Sequence, residues 1–188
     1  MSGKNYAANA GIPPTTYRSQ GFLPCGVGEL EKRLIAETGI DRCDINILKT
    51  LNLYSDKDGY NIAAALLADS NNYLGIDIGR FGESISVIRK RKTLDNISIL
   101  AEYEAACEIF RDYYQYEIIE GSLRKTKELI PEEAFRETVA NALIHRVWDV
   151  REQIRVFMFE DRIEVYSPGG LPEELSKEEY LAGNFSKL

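Results

Sequence analysis

The sequence predicts a mixed α/β (α+β) protein built in two parts, and three observations carry that expectation. Short alanine- and leucine-rich helical patterns occupy the stretch before residue 70. Longer amphipathic helical patterns appear only after residue 96. A clear β-hairpin pattern then follows the last helix. At 188 residues the chain is long enough for one sizeable domain or two small ones, with a real core in either case.

Residues 1–27 are rich in glycine, proline and small polar residues and read as a linker or a frayed N-terminus. A helix is expected from Glu29 to Thr38, with Leu30 and Leu34 on one face and Gly39 as its stop. Asp44 is placed to cap a second helix over Ile45–Leu51. Ser55-Asp56-Lys57-Asp58-Gly59 is turn chemistry, and a third helix is expected over Asn61–Asp69. Two strands follow, a short one at Ile76–Ile78 and one over Ser84–Lys90 with Ile85 and Val87 sharing a face. That order predicts a small winged-helix-like module over residues 28–95, with a boundary near 93–96.

Beyond it, Leu100, Tyr103, Cys107, Phe110 and Tyr114 recur at helical spacing. Tyr116–Ile119 reads as a strand. Pro131 opens a helix running to His145, with Glu132 and Glu133 at the favourable end of its dipole. The hairpin pairs Ile154–Phe159 with Ile163–Tyr166 and ends at Ser167-Pro168-Gly169-Gly170-Leu171-Pro172. Residues 96–188 form the second part, an α/β sandwich with helices on one face of a mixed sheet.

Composition excludes several functions. The formal net charge of −7 makes the whole chain a poor electrostatic partner for nucleic acid or anionic lipid. No apolar run approaches a membrane span, and the first residues lack the apolar core of a signal peptide, so a cytoplasmic, membrane-free protein is expected. Three cysteines leave an odd thiol over, which suits a reducing compartment. The single histidine, His145, rules out a multi-histidine metal site. No Gly-x-x-x-x-Gly-Lys-Ser/Thr loop is present, so no P-loop motor is encoded.

The chemistry concentrates on the helix before the hairpin. Phe135, Val139, Ala142 and Leu143 form its buried stripe, while Glu137, Asn141 and His145 line up four apart on another face. An asparagine oxygen is a hard, neutral ligand suited to Mg²⁺, and a carboxylate one turn away can orient or deprotonate a water. The plainer reading is that any helix carries polar residues four apart on its wet face. His145 and Arg146 read as a C-terminal pair meeting the last carbonyls of the helix. The basic run Arg89, Lys90, Arg91 and Lys92 is the one candidate DNA contact, with a solvated strand edge as the alternative.

The run Asn-Ala-Leu-Ile-His-Arg, followed by a hairpin and then Pro-Gly-Gly-Leu-Pro, resembles the nucleotide-binding half of GHKL-type ATPases. More closely it resembles the C-terminal end of Schlafen/AlbA-type, RecG-like transcriptional regulators, over residues 45–188 and most specifically over 131–172. The resemblance implies that residues 96–188 are a truncated GHKL-like domain binding ATP and Mg²⁺. Glu137 would then be the water-activating acid and Asn141 the Mg²⁺ ligand. Ser167 would stand where such enzymes hold an adenine-reading aspartate, and Gly169 and Gly170 would let backbone approach the nucleotide.

It further implies DNA binding through an N-terminal region beyond this chain, and a slow ATPase or nucleotide switch in a longer protein. The glycine-rich lid is expected beyond Leu188, which leaves this piece inactive. The rival expectation is a non-catalytic interaction module or a winged-helix DNA binder. A homodimer is expected, because truncation should leave the face behind Ile154, Val156, Met158, Ile163 and Val165 partly open.

Overall fold

A computed structural model describes residues 26–120, 123–170 and Glu178, with the backbone alone for 116–120 and 123–128. Among the described residues three short helices come first: α1 (Gly28–Thr38), α2 (Ile45–Thr50) and α3 (Ile62–Leu67). Each starts where a side chain can accept from free backbone N–H groups. Asp44 accepts from Asn46 and Ile47 on α2, and Asn61 accepts from Ala64 on α3. The α1 terminus has no local cap; Asp69, far along the chain, takes the N–H groups of Gly28 (2.7 Å) and Glu29 (2.9 Å). Gly39 ends α1 in the left-handed region, at φ 70°, as expected of a C-terminal glycine. A small hairpin, β1 (Tyr54–Ser55) and β2 (Gly59–Tyr60), sits between α2 and α3. Leu48, Leu53 and Ala64 make the small core of this unit.

The main sheet contains four strands in the order β4-β3-β7-β8: β3 is Ile76–Phe81, β4 Ile88–Leu94, β7 Ile154–Met158 and β8 Ile163–Tyr166. β3 runs antiparallel to β4 and parallel to β7, in the register Ile76 opposite Ile154. The β3–β4 hairpin, expected to finish the first module, is therefore half of the second part's sheet, and the sheet crosses the boundary expected near residues 93–96. Parallel pairing joins segments far apart in sequence, and local periodicity carries no trace of it.

β4 also starts later than expected. Residues 83–87 instead close a loop, in which Gly82 N–H donates to the Val87 carbonyl and Val87 N–H to that of Ser84. Ile85 and Val87 consequently face solvent, and the basic run lies along the exposed edge strand.

Helices α4 (Ile99–Tyr114) and α5 (Glu132–His145) cover one face of this sheet. Ser98 caps α4, and α5 begins one residue after Pro131. Phe110 of α4 stacks on Phe135 of α5 at 4.5 Å between ring centres. Beneath them Ile154, Val156 and Met158 are fully buried, and Ile163 and Val165 pack at the margin. The face expected to lie open and to drive homodimer formation is thus covered, because α4 shares the task with α5. Between the helices stands a hairpin, β5 (Gln115–Glu120) and β6 (Leu123–Glu128). The charged sequence of β6 gave no alternation from which to foresee it.

Candidate functional site

The buried stripe of α5 is the expected one, and it fixes the rest of the helix by geometry. Glu137, Asn141 and His145 all emerge on the exposed side. Among the described residues, Glu137 and Asn141 make no hydrogen bond or ion pair, so both acceptors are free for a ligand.

The Ser167–Gly170 turn folds back onto the end of this helix. Ser167 Oγ donates to the Ala142 carbonyl at 3.2 Å, and Val147 N–H donates to the Pro168 carbonyl at 3.0 Å. Gly169 has φ 142°, and a Cβ there would stand 2.8 Å from Val147 Cγ2. Only glycine satisfies both the dihedral and the close approach. The turn and the C-terminal end of α5 are therefore one constellation through Ser167, Pro168 and Gly169, while Asn141 is exposed on the same helix and open space surrounds Gly170. Glu137 lies one helical turn further back along α5.

Arg146 holds this arrangement to the sheet. It is buried, donating from Nη1 to the Leu74 carbonyl (2.7 Å) and from Nη2 to the Glu152 carbonyl (2.6 Å). Its guanidinium lies 4.3 Å from the centre of the Trp148 ring. The exit of α5 is so tied to the entrances of β3 and β7. Close by, Glu102 of α4 is fully buried, and neither of its carboxylate oxygens has a hydrogen-bond partner among the described residues. Burial pushes its pKa up to about 8, with Arg146 pulling it down and Asp95 adding to the rise. Asp95 in turn accepts from Gln153 and from the Gly75 N–H. Glu102 is not among the residues the sequence points to, and Arg146, expected to meet the last carbonyls of its own helix, reaches the Leu74 and Glu152 carbonyls instead. A glutamate inside an apolar helical stripe, between Ile99 and Ala106, is the signal that could have found Glu102.

The opposite face of the sheet carries a concavity of about 300 Å³, lined by Gln153, Arg155, Phe157, Tyr166, Ser167 and others. It shares Ser167 with the α5 constellation. Arg155 and Phe157 alternate along β7 with the buried Ile154, Val156 and Met158 and so line this opposite face.

The basic run is less available than its sequence suggests. Arg91 forks onto Asp77 (2.7–3.1 Å) and Arg89 pairs with Glu160 (3.1 Å). Lys90 lies 5.8 Å from the centre of the Tyr113 ring, and Lys92 is exposed. Among the described residues no cluster of three or more His, Cys, Asp or Glu could hold a metal ion. No described helix is long and apolar enough to cross a membrane.

A mixed sheet with helices on one face, and a glycine turn docked on the last helix, defines a class of α+β fold that has a solved counterpart. The DIP2311 protein from Corynebacterium diphtheriae, known from a crystal structure, matches at a TM-score of 0.66 and 24% identity. The match covers 83% of this chain but 32% of that one, so the chain spans about a third of its counterpart's length. In sequence, residues 151–187 match the family described as "Putative ATP-dependent DNA helicase recG C-terminal". That stretch takes in β7, β8 and the Ser167–Gly170 turn. No curated protein matches the chain.

Proposed function

We propose that the second part of this chain is the nucleotide-binding half of a GHKL-like ATPase, serving a transcriptional regulator as a nucleotide-dependent switch. The observation that carries the reading is the docking of the Ser167–Gly170 turn, inside the family-matched segment, against the helix that presents Asn141 and Glu137. The residue types suit a Mg²⁺-nucleotide on chemical grounds: a carboxamide and a carboxylate stand one turn apart on the exposed side of the helix whose end the glycine turn meets. Bound ATP supplies a phosphoryl group and Mg²⁺ neutralises its charge. Asn141 Oδ1 would hold the metal, and a Glu137 carboxylate oxygen would take the proton of the attacking water. Ser167 has a hydroxyl and no carboxylate, so its contact with the adenine would be weaker or water-mediated. DNA would be bound through a region preceding this chain in a longer protein.

One observation favours the rival reading, an interaction module without nucleotide: Ser167 Oγ is already engaged with the Ala142 carbonyl. An NMR titration with Mg-ATP decides between them, because it reads weak binding residue by residue. The ATPase reading expects shifts at residues 137–145 and 167–170 that need Mg²⁺, vanish in Asn141→Ala and persist in Glu137→Gln. No Mg²⁺-dependent shift in the parent chain, or equal shifts in all three proteins, would overturn it.

A further inference from the structure

The end of the sheet away from Ser167 carries a charge arrangement that the nucleotide reading does not use. Arg80 on β3 and Lys90 on β4 are directly opposed cross-strand partners. Like charges in that position repel, which ordinarily counts against a sheet. Among the described residues neither has a carboxylate within ion-pair distance. Instead both lean on one ring: the Arg80 guanidinium lies 4.4 Å and the Lys90 ammonium 5.8 Å from the centre of Tyr113. An aromatic face softens the repulsion without neutralising it.

Arg80 lines a cavity of about 240 Å³ together with Tyr113, Tyr114, Leu129, Phe159 and Glu160, and Lys90 stands outside that lining, on the Tyr113 ring. The cavity lies at the C-terminal ends of the parallel strands β3 and β7, where open α/β sheets commonly take their ligands. The Tyr114 hydroxyl is turned inward, donating to the Phe159 carbonyl at 2.5 Å. Glu160 is the one carboxylate of the lining, and its charge is matched by Arg89 at 3.1 Å. The α5 constellation is a strand length away, since Arg80 pairs with Met158 at one end of β7 and Tyr166 with Arg155 at the other.

We propose that this cavity is a binding site for a phosphate-class oxyanion, seated on the Arg80 guanidinium, with the Lys90 ammonium adding charge from beside the Tyr113 ring. The fork of Arg80 suits two oxygens of one phosphoryl group, and Lys90 adds a point charge. A cavity this small takes the anion and little else. The anion can be free phosphate or the backbone phosphate of a nucleic acid reaching the β4 edge.

The test is an NMR titration of the whole chain, in chloride of matched ionic strength, with inorganic phosphate in one arm and a short single-stranded oligonucleotide in the other. The expected result is saturable shifts at residues 79–81, 113–114 and 159–160 in at least one arm, and which arm responds identifies the source. Arg80→Gln and Lys90→Gln should each weaken that binding about tenfold or more, and Arg80→Lys by less, because it keeps charge and loses the fork. Lys90 is exposed, so its variant reads the site even where a change at Arg80 disturbs the fold. Shifts that stay linear in both arms, that survive both glutamine variants, or that disappear in Asn141→Ala would overturn the proposal.

Discussion

The two ends of the main sheet treat charge in opposite ways. Where β3 and β7 begin, Arg146, Asp95 and Gln153 are bound into a network that reaches the backbone of Leu74, Gly75 and Glu152, with Glu102 enclosed beside it. Where the same strands end, Arg80 and Lys90 stand side by side without a counter-ion among the described residues. One end uses its polar groups to join segments; the other leaves them available to solvent or ligand. Buried charge therefore marks construction here, and half-exposed charge marks the candidate ligand surface.

The comparison can be broken most forcefully at Gly75. A Cβ there would run into the Leu94 carbonyl and the Glu102 carboxylate. Gly75→Ala should cost about 3 kcal/mol or more, measured by denaturant unfolding, because one of the obstacles is backbone. A tolerated alanine would mean that this end is loosely built.

Glu102 gives the next largest effect. Its folded pKa of about 8 lies above the ordinary 4.5, so the folded protein keeps a proton that the unfolded chain releases. Stability contributed by the neutral acid is full below 4.5 and is lost as pH rises through 8, on the order of a few kcal/mol. Glu102→Gln should flatten that decline and leave the variant more stable than the parent at alkaline pH. An unchanged slope would show that water reaches the carboxylate.

The smallest effect belongs to the far end. Lys90→Gln should change phosphate-free stability by only a few tenths of a kcal/mol, since relief of cross-strand repulsion and loss of a distant ring contact oppose one another. A loss above about 1 kcal/mol would show that Lys90 is structural, and the contrast between the ends would fade.

What could be read from the sequence was local. Asp44, Asn61 and Gly39 carry their capping chemistry within a few residues, so α1, α2 and α3 were legible nearly to their ends. The stripe Phe135, Val139, Ala142 and Leu143 also needed only helical periodicity. The Asp69 cap on α1, the parallel pairing of β3 with β7 and the reach of Arg146 to Leu74 all depend on distant partners. No spacing rule exposes those. Ile85 and Val87 misled because an alternating apolar pair looks the same in a strand and in an exposed loop. At the candidate site, Asn141, Ser167 and Gly169 enter through resemblance, and the structure adds the docking of the Ser167–Gly170 turn on α5. The pairing of Arg80 with Lys90 had to wait for strand register.

The three-way tie made by Arg146 bears on the order in which the molecule assembles. Its partners, Leu74 and Glu152, come together only once β3 has found β7 across the intervening α4 and α5. Contacts between such remote segments raise the entropy lost before any reward arrives, and they slow folding. The wall bearing Asn141 and the glycine turn thus takes shape only after the longest loop in the sheet has closed. A nascent chain displays α1 to α3 well before it can present that wall, and a molecule that lets β7 slip from β3 surrenders the site before it surrenders its helices.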